Sequence, residues 1–182
     1  MKRIFSYIMA VALTLMATGC KDDEESAVSD TSYYNTLACT VLEATGNIYN
    51  QNIAGTNVTP SDLHVDAPHG GTVVISGSVS NDNNNLTRVD LNYTFDNVRW
   101  LWTSNDGNYS TDVYITGVIH EVGSFRASDN YRSLSTSSDS LRMTGSVNAY
   151  SSKRNVDELG KISIVSDVNK YNGDMFGHTV NN

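Results

Sequence analysis

The spacing of hydrophobic positions along this chain changes twice and divides it into three parts. Residues 4–17 form an uncharged, largely apolar run. Between residues 32 and 53, apolar side chains recur at helical spacing, which predicts one amphipathic helix there. Beyond residue 70 the spacing becomes two, as in strands that have one face in water. The predicted helical stripe consists of Tyr34, Leu37, Ala38, Val41, Leu42, Thr45, Ile48 and Tyr49.

The alternating part of the chain predicts an antiparallel sheet. In the clearest strand, hydrophobic side chains at odd positions from Val89 to Phe95 alternate with charged or polar ones. Turn sequences separate the alternating segments and no helical pattern lies between them, so we expect consecutive strands to pair as a meander. About six strands are predicted, around residues 73–79, 88–96, 113–119, 141–147, 161–168 and 175–180.

Three of these strands contain a glycine inside a repeated pattern, in which an aliphatic pair precedes Gly and another aliphatic residue follows it. The glycines are Gly77, Gly117 and Gly145. Glycine weakens a strand unless its missing side chain lets the sheet bend or lets another group come close. We expect the helix to lie across the concave face of a curved meander, against these glycines; a groove left open for a ligand is the alternative. The predicted fold is mainly β, of the α+β class, in a single domain over residues 32–182.

The N-terminal run has the features of a secretory signal. Lys2 and Arg3 precede about 14 uncharged residues, fewer than the roughly 20 that a membrane span requires. Small residues at positions 17–19 suit a signal peptidase. Removing residues 1–19 leaves 163 residues, which is the size of one domain, and changes the formal charge from −8 to −10. This acidity argues against a nucleic-acid partner.

The sequence Ala17-Thr18-Gly19-Cys20 closes the signal and resembles the lipobox of bacterial lipoproteins. The resemblance implies cleavage between Gly19 and Cys20, a diacylglycerol thioether on the Cys20 sulfur and a fatty acid such as palmitate on its new amino group. Residues 20–31 are then a lipidated acidic tether. Several acyl chains anchor a protein more firmly than a single chain does. An ordinary cleaved signal or a single-span anchor is the alternative.

The residues after Cys20 are Lys-Asp-Asp-Glu-Glu. This run resembles the export signal of surface-exposed lipoproteins of the Bacteroidetes type, which implies an outer-membrane protein that faces the medium. A solvated acidic tether on a periplasm-facing protein is the alternative, since runs of like charge stay disordered. The helix followed by a Gly-punctuated β-meander also resembles a class of small exported bacterial proteins. That class has no assigned activity.

The sequence offers no motif for catalysis, a cofactor or a metal. It contains no Gly-x-Ser-x-Gly elbow and no phosphate-binding loop, and His64, Asp66 and His69 lack the spacing of a known metal motif. We therefore expect a non-enzymatic binding or interaction protein, whose partners are the membrane through its anchor and envelope proteins or a glycan.

One aromatic cluster offers an alternative as a glycan- or small-ligand-binding module. Trp100 and Trp102 would share one strand face, and Tyr109 returns opposite them across a turn. Flat aromatic rings near a loop can hold sugar rings, although large aromatic residues also fill cores. The candidate platform is Trp100, Trp102 and Tyr109, with core packing as the other interpretation.

Two further residues carry candidate chemistry. Asp139-Ser140-Leu141 resembles the short O-glycosylation site of exported proteins of the same bacterial type, with Ser140 as the acceptor. Once Cys20 is lipidated, Cys39 has no partner cysteine in the chain. Cys39 is then either a reactive or intermolecular thiol, or a small apolar residue at or beyond the edge of the helical stripe, and we favour the second interpretation.

Overall fold

The computed structural model describes residues 28–55, 59–82, 84–126 and 131–182. The predicted signal peptide of residues 1–19, the predicted lipidation site Cys20 and the predicted tether up to residue 27 lie outside these described residues. The described chain begins with Val28, which is buried in the core. The last residues of the predicted tether, 28–31, thus belong to the folded domain.

One helix precedes the sheet. Helix α1 spans Asp30–Asn52 and begins two residues earlier than predicted, because Ser29 caps it. The Ser29 hydroxyl accepts a hydrogen bond from the backbone N–H of Ser32 at 3.2 Å, which satisfies a donor of the first turn. Gly55 follows the helix with a φ of 72°, as expected for a residue beyond a helix end. Within the described ranges, no helix combines the length and the apolar character needed to cross a bilayer.

Eight strands follow in one sheet, whose spatial order is the order of the chain. Each strand pairs with the next in antiparallel register. The prediction of a mainly antiparallel meander with one N-terminal helix is therefore confirmed. The strands are β1 (Leu63–Asp66), β2 (Thr72–Asn81), β3 (Thr87–Thr103), β4 (Tyr109–Arg126), β5 (Tyr131–Ala149), β6 (Ser152–Asp167), β7 (Tyr171–Met175) and β8 (His178–Asn181).

The prediction of about six strands is wrong, because two short strands escape the periodicity. Strand β1 has four residues and an intermediate–exposed alternation, so its sequence carries little hydrophobic signal. The predicted last strand is in fact the hairpin of β7 and β8. Its turn lies at Phe176 and Gly177, both of which have positive φ.

The core lies between α1 and one face of the sheet. Every residue of the predicted helical stripe is buried except Leu42, which is partly buried against the core. The helix contacts β3, β4, β5, β7 and β8. The opposite face of the sheet is mainly polar and carries ion pairs such as Arg99–Asp112 at 2.7 Å.

The first turn of α1 is fixed to the sheet by aromatic and charged side chains. The Tyr33 hydroxyl donates to Glu158 Oε1 at 3.1 Å, and the Arg154 guanidinium lies 3.8 Å from the centre of the Tyr33 ring. The Tyr34 ring stacks on His178 of β8 with a centroid distance of 3.7 Å. These contacts fix the start of the helix on β6 and β8.

The glycines of the repeat allow neighbouring strands to approach each other. A Cβ atom on Gly145 would lie 2.2 Å from the carbonyl oxygen of Asp112, and one on Gly117 would lie 2.6 Å from that of Ser140. The expectation that the helix packs against these glycines is therefore wrong, because the close group is the backbone of a neighbouring strand. The pairing also shifts register between Phe95 and Val98 and at similar points in β4 and β5. Such bulges bend a strand.

The contrast between two glycines gives a stability test. Gly145→Ala should lower the free energy of unfolding by at least about 2 kcal/mol, since Gly145 has a φ of 136° and a crowded neighbour. Gly46→Ala should raise it by up to about 1 kcal/mol, because Gly46 is helical and an added Cβ meets no atom within 4 Å. Urea unfolding of both variants measures the difference. Equal free energies of unfolding would contradict the different roles given to Gly145 and Gly46.

Candidate functional site

The predicted aromatic platform does not form one exposed surface. Trp100 is only 4% exposed and belongs to the core, so its assignment to a surface platform is wrong. Trp102 and Tyr109 are partly exposed on the same, helix-facing side of the sheet. With Cys39 and residues of the first turns of α1, they line a cleft of about 210 Å³. Two of the three residues of the predicted platform, Trp102 and Tyr109, therefore line a cleft in which a ligand could bind.

The predicted modification residue lies on the surface. Ser140 is exposed at the register shift of β5, and its backbone N–H donates to the Ser138 hydroxyl at 3.3 Å. Its neighbour Asp139 forms an ion pair with Lys161 at 3.4 Å. The position is open to a modifying enzyme, and O-glycosylation of Ser140 stays a prediction.

Cys39 is a partly buried residue of the helix–sheet interface. Its sulfur lies 3.5 Å from the Tyr171 hydroxyl, within hydrogen-bonding distance. Burial raises the pKa of the Cys39 thiol, which disfavours the reactive thiolate form. Both observations favour a packing role for this cysteine.

Buried polar side chains gather beneath the second half of α1. Glu121 of β4 is 3% exposed and pairs across the sheet with Thr136 of β5. Tyr93 of β3 and Arg132 of β5 also interact with the Glu121 charge. Within the part of the chain that the structure describes, four buried atoms of this cluster have no hydrogen-bond partner. They are Tyr93 Oη, Glu121 Oε2, Arg132 Nε and Thr136 Oγ1.

A cavity of about 220 Å³ lies beside this polar cluster, and we call it the helix–sheet cavity. Its wall comes from three elements: the last turns of α1, the end of β4 and the start of β5. Gly46 leaves the wall open on the helix side, since a Cβ there would meet no atom within 4 Å. The lining residues are Gly46, Tyr49, Asn50, Glu121, Phe125, Arg126, Tyr131, Arg132 and Leu134.

The charge of Glu121 is unusually placed. Burial raises the pKa of this carboxyl, while the positive charge of Arg132 and a hydrogen bond from Thr45 lower it by less. Burial also raises the pKa of the Tyr93 and Tyr49 phenols, and the nearby Glu121 charge adds to both shifts, so these phenols remain protonated. Glu121 and Arg132 therefore both line the cavity, and each has a buried atom without a hydrogen-bond partner among the described residues.

Aromatic rings form the apolar part of the wall. The rings of Tyr49 and Phe125 meet edge to face with centroids 5.3 Å apart. Tyr131 is 42% exposed and lies where the cavity meets solvent. A concave site with apolar walls, a few polar groups and a perturbed carboxyl is the usual composition of a small-molecule site.

Neither a metal centre in the described part of the chain nor a similar known protein identifies the chemistry of this site. Among the described residues, no three His, Cys, Asp or Glu side chains come together as a metal site. Comparison with protein-family models, with curated proteins and with solved structures found no match.

The sequence analysis missed Glu121, although a signal for it exists. Val113, Ile115 and Ile119 set the inward phase of β4, and all three are fully buried. Continuing that phase by two residues reaches Glu121, a charged side chain at a position where the pattern demands an apolar one. A charge in the buried phase of a strand is a reason to expect a functional site.

The buried carboxyl predicts a pH-dependent stability. Because the folded state raises the pKa of Glu121 above its ordinary value near 4.5, the folded protein holds this proton more tightly than the unfolded chain. Stability is therefore lost as pH rises from about 4.5 to the raised pKa, and the loss persists above it. Glu121→Gln should raise the free energy of unfolding at pH 8 and change it little at pH 4, as measured by urea unfolding.

A second variant, whose stability should depend on pH in the opposite direction, separates the effect of Glu121 from a general effect of pH on stability. Hydrogen bonds from Ser104 and Asn108 lower the pKa of Asp106, which lies in an exposed turn. Asp106→Asn should therefore reduce stability at neutral pH and lose its effect in acid. A Glu121→Gln variant that is destabilised equally at pH 4 and pH 8 would contradict the account of Glu121.

Proposed function

We propose that this protein is a lipid-anchored, non-enzymatic binding protein of the outer membrane, and that the helix–sheet cavity is its ligand site. The observation that carries the proposal is the cavity of about 220 Å³ lined by Glu121 and Arg132, each with a buried atom that has no partner among the described residues.

Unpaired buried polar groups are unfavourable for folding. Leaving one buried donor or acceptor without a partner costs about 1–3 kcal/mol, and more when the group is charged. Tyr93 and Thr136 add further unpaired hydroxyls in the same region. Glu121 and Arg132 line the cavity, whereas Tyr93 and Thr136 do not. A bound polar molecule that pairs with Glu121 or Arg132 would recover part of that free energy, which favours a binding role for the cavity.

The composition of the cavity favours binding over catalysis. Hydrolysis of a glycosidic bond usually needs two carboxyl groups on opposite sides of the scissile bond. Among the described residues that line the cavity, Glu121 is the one carboxyl. The described part of the lining also lacks Ser, Cys, His and Lys, which are the usual nucleophiles and bases.

The proposed location rests on the N-terminal sequence. The resemblance of residues 17–20 to a lipobox supports lipid attachment at Cys20, and the acidic run that follows supports export to the cell surface. The net charge of −10 without the signal is compatible with a soluble domain on an anionic surface. The membrane is then the first partner of the protein through its anchor, and a glycan or an envelope protein is the second.

The cleft beside Trp102 and Tyr109 is a second candidate site for a glycan or small ligand. It is similar in volume, at about 210 Å³, and has two aromatic rings in its wall. Its described lining contains no charged side chain. We rank it below the helix–sheet cavity for that reason.

Ligand binding can be tested by filling the cavity. Gly46→Leu should occlude it, because the new side chain starts from a position with no atom within 4 Å. We expect a mixed panel of neutral, acidic and basic small molecules to contain at least one that raises the melting temperature of the parent protein but not of Gly46→Leu. Gly46→Ala is the matched control and should retain the shift. A panel without any such compound would contradict the proposed site.

Lipid attachment can be tested at Cys20. Cys20→Ala should release the protein from the membrane fraction and abolish its labelling by a fatty-acid analogue, because the acyl chains provide the anchor. Protease treatment of intact cells that carry the parent protein then reports whether its domain is exposed on the cell surface. Unchanged fractionation and labelling of the variant would overturn the lipoprotein assignment.

A further inference from the structure

The unpaired atoms in and beneath the cavity wall restrict the chemistry of a ligand. Arg132 Nε–H can only donate a hydrogen bond, whereas an ionised Glu121 carboxylate can only accept one. Arg126 also lines the cavity but already takes part in another interaction. At the pair of Glu121 and Arg132, a carboxylate ligand would pair with Arg132 but be repelled by Glu121, and an ammonium ligand would have the reverse problem. A hydroxyl group both donates and accepts, so a molecule with two neighbouring hydroxyls can satisfy both groups without adding charge.

The rest of the wall restricts the shape of the ligand. Tyr49, Phe125 and Leu134 give the cavity apolar surfaces beside the polar pair. A volume of about 220 Å³ lies below the roughly 300–1,000 Å³ of sites for drug-sized molecules. The cavity has room for a single small ring and not for an extended chain. A ring with C–H groups on its face and hydroxyls on its edge matches such a wall.

We propose that the helix–sheet cavity binds one neutral sugar ring, with one hydroxyl donating to Glu121 and a neighbouring hydroxyl accepting from Arg132. This inference rests on the proposed function and names the ligand class of that site. The sugar face packs against the aromatic wall formed by Tyr49 and Phe125. Tyr131, which is 42% exposed at the opening, lies where the rest of a longer glycan would leave the cavity.

The inference assigns the sugar to a site different from the aromatic platform suggested by the sequence. Trp102 and Tyr109 line the other cleft, which shares no lining residue with the helix–sheet cavity. That separation makes the two sites distinguishable by mutation. Trp102→Leu alters the cleft and leaves the cavity lining intact, whereas Gly46→Leu does the reverse.

The experiment uses the full lipidated chain, purified in a detergent without a sugar head group. The probes are glucose, galactose, mannose and N-acetylglucosamine at millimolar concentration, with acetate, benzoate and ethylamine as charged comparisons. We expect at least one sugar to raise the melting temperature of the parent protein and of Trp102→Leu, but not of Gly46→Leu. Calorimetric titration of Glu121→Gln should show a Kd raised by about tenfold to a hundredfold, as for the loss of a charged hydrogen bond.

Other results would overturn the inference in distinguishable ways. A shift with a carboxylate or an amine that Gly46→Leu abolishes would overturn the sugar assignment and keep the cavity as a binding site. A sugar shift that Trp102→Leu abolishes and Gly46→Leu retains would place the sugar in the cleft. No shift with any probe, combined with a Gly46→Leu variant that has no effect in the broad panel, would overturn both the ligand class and the proposed function.

Discussion

The structure depends on the packing of helix α1 against the apolar face of the sheet, where it contacts mainly β3, β4, β5, β7 and β8. Eight strands about 4.8 Å apart would make a flat sheet about 34 Å wide, whereas a helix is about 10 Å across. The 23 residues of α1 span about 35 Å, and strands of 16–19 residues such as β5 and β6 would exceed 50 Å if straight. A flat sheet would therefore leave most of its apolar face in water. The register shifts of β3, β4 and β5, with the close strand approach at Gly145, bend the sheet and so reduce that exposed area.

The two candidate sites follow from the limits of this cover. The cleft near Trp102 lies beside the first turns of α1, and the helix–sheet cavity lies beside its last turns. At the last turns, Gly46 removes bulk from the helix surface. The sheet places Glu121 there, at a position that could otherwise hold an aliphatic side chain. A core optimised for stability would fill this volume with apolar atoms. The cavity and the Glu121 carboxyl therefore depart from the packing expected of a stable core, as functional sites do.

The sequence predicts those features of the fold that repeat, and it misses those that depend on single residues. Helical and alternating periods identify α1 and the long strands, because each period extends over many positions. Strand β1 (Leu63–Asp66) is too short to establish a period. The turn at Phe176–Gly177 lies inside what reads as one short strand.

Glu121 could have been found by following the phase of β4, but the cavity itself could not. It depends on Gly46 being brought beside Glu121 and Arg132 from distant parts of the chain, and no local pattern encodes that approach.

The direction of the helix relates the cavity to the proposed anchor. A chain attached at Cys20, as proposed, would enter the domain at Val28, immediately before the N-cap residue Ser29 of α1. Gly46 and Asn50 lie about 25–30 Å further along the helix, at 1.5 Å per residue. The contacts of Tyr33 with Glu158 and of Tyr34 with His178 fix the first turn of the helix, the end nearest the proposed anchor, to the sheet. The anchored end would thus lie nearest the membrane and the cavity near the opposite end of the helix, where a ligand in the medium can enter it without crossing the lipid surface.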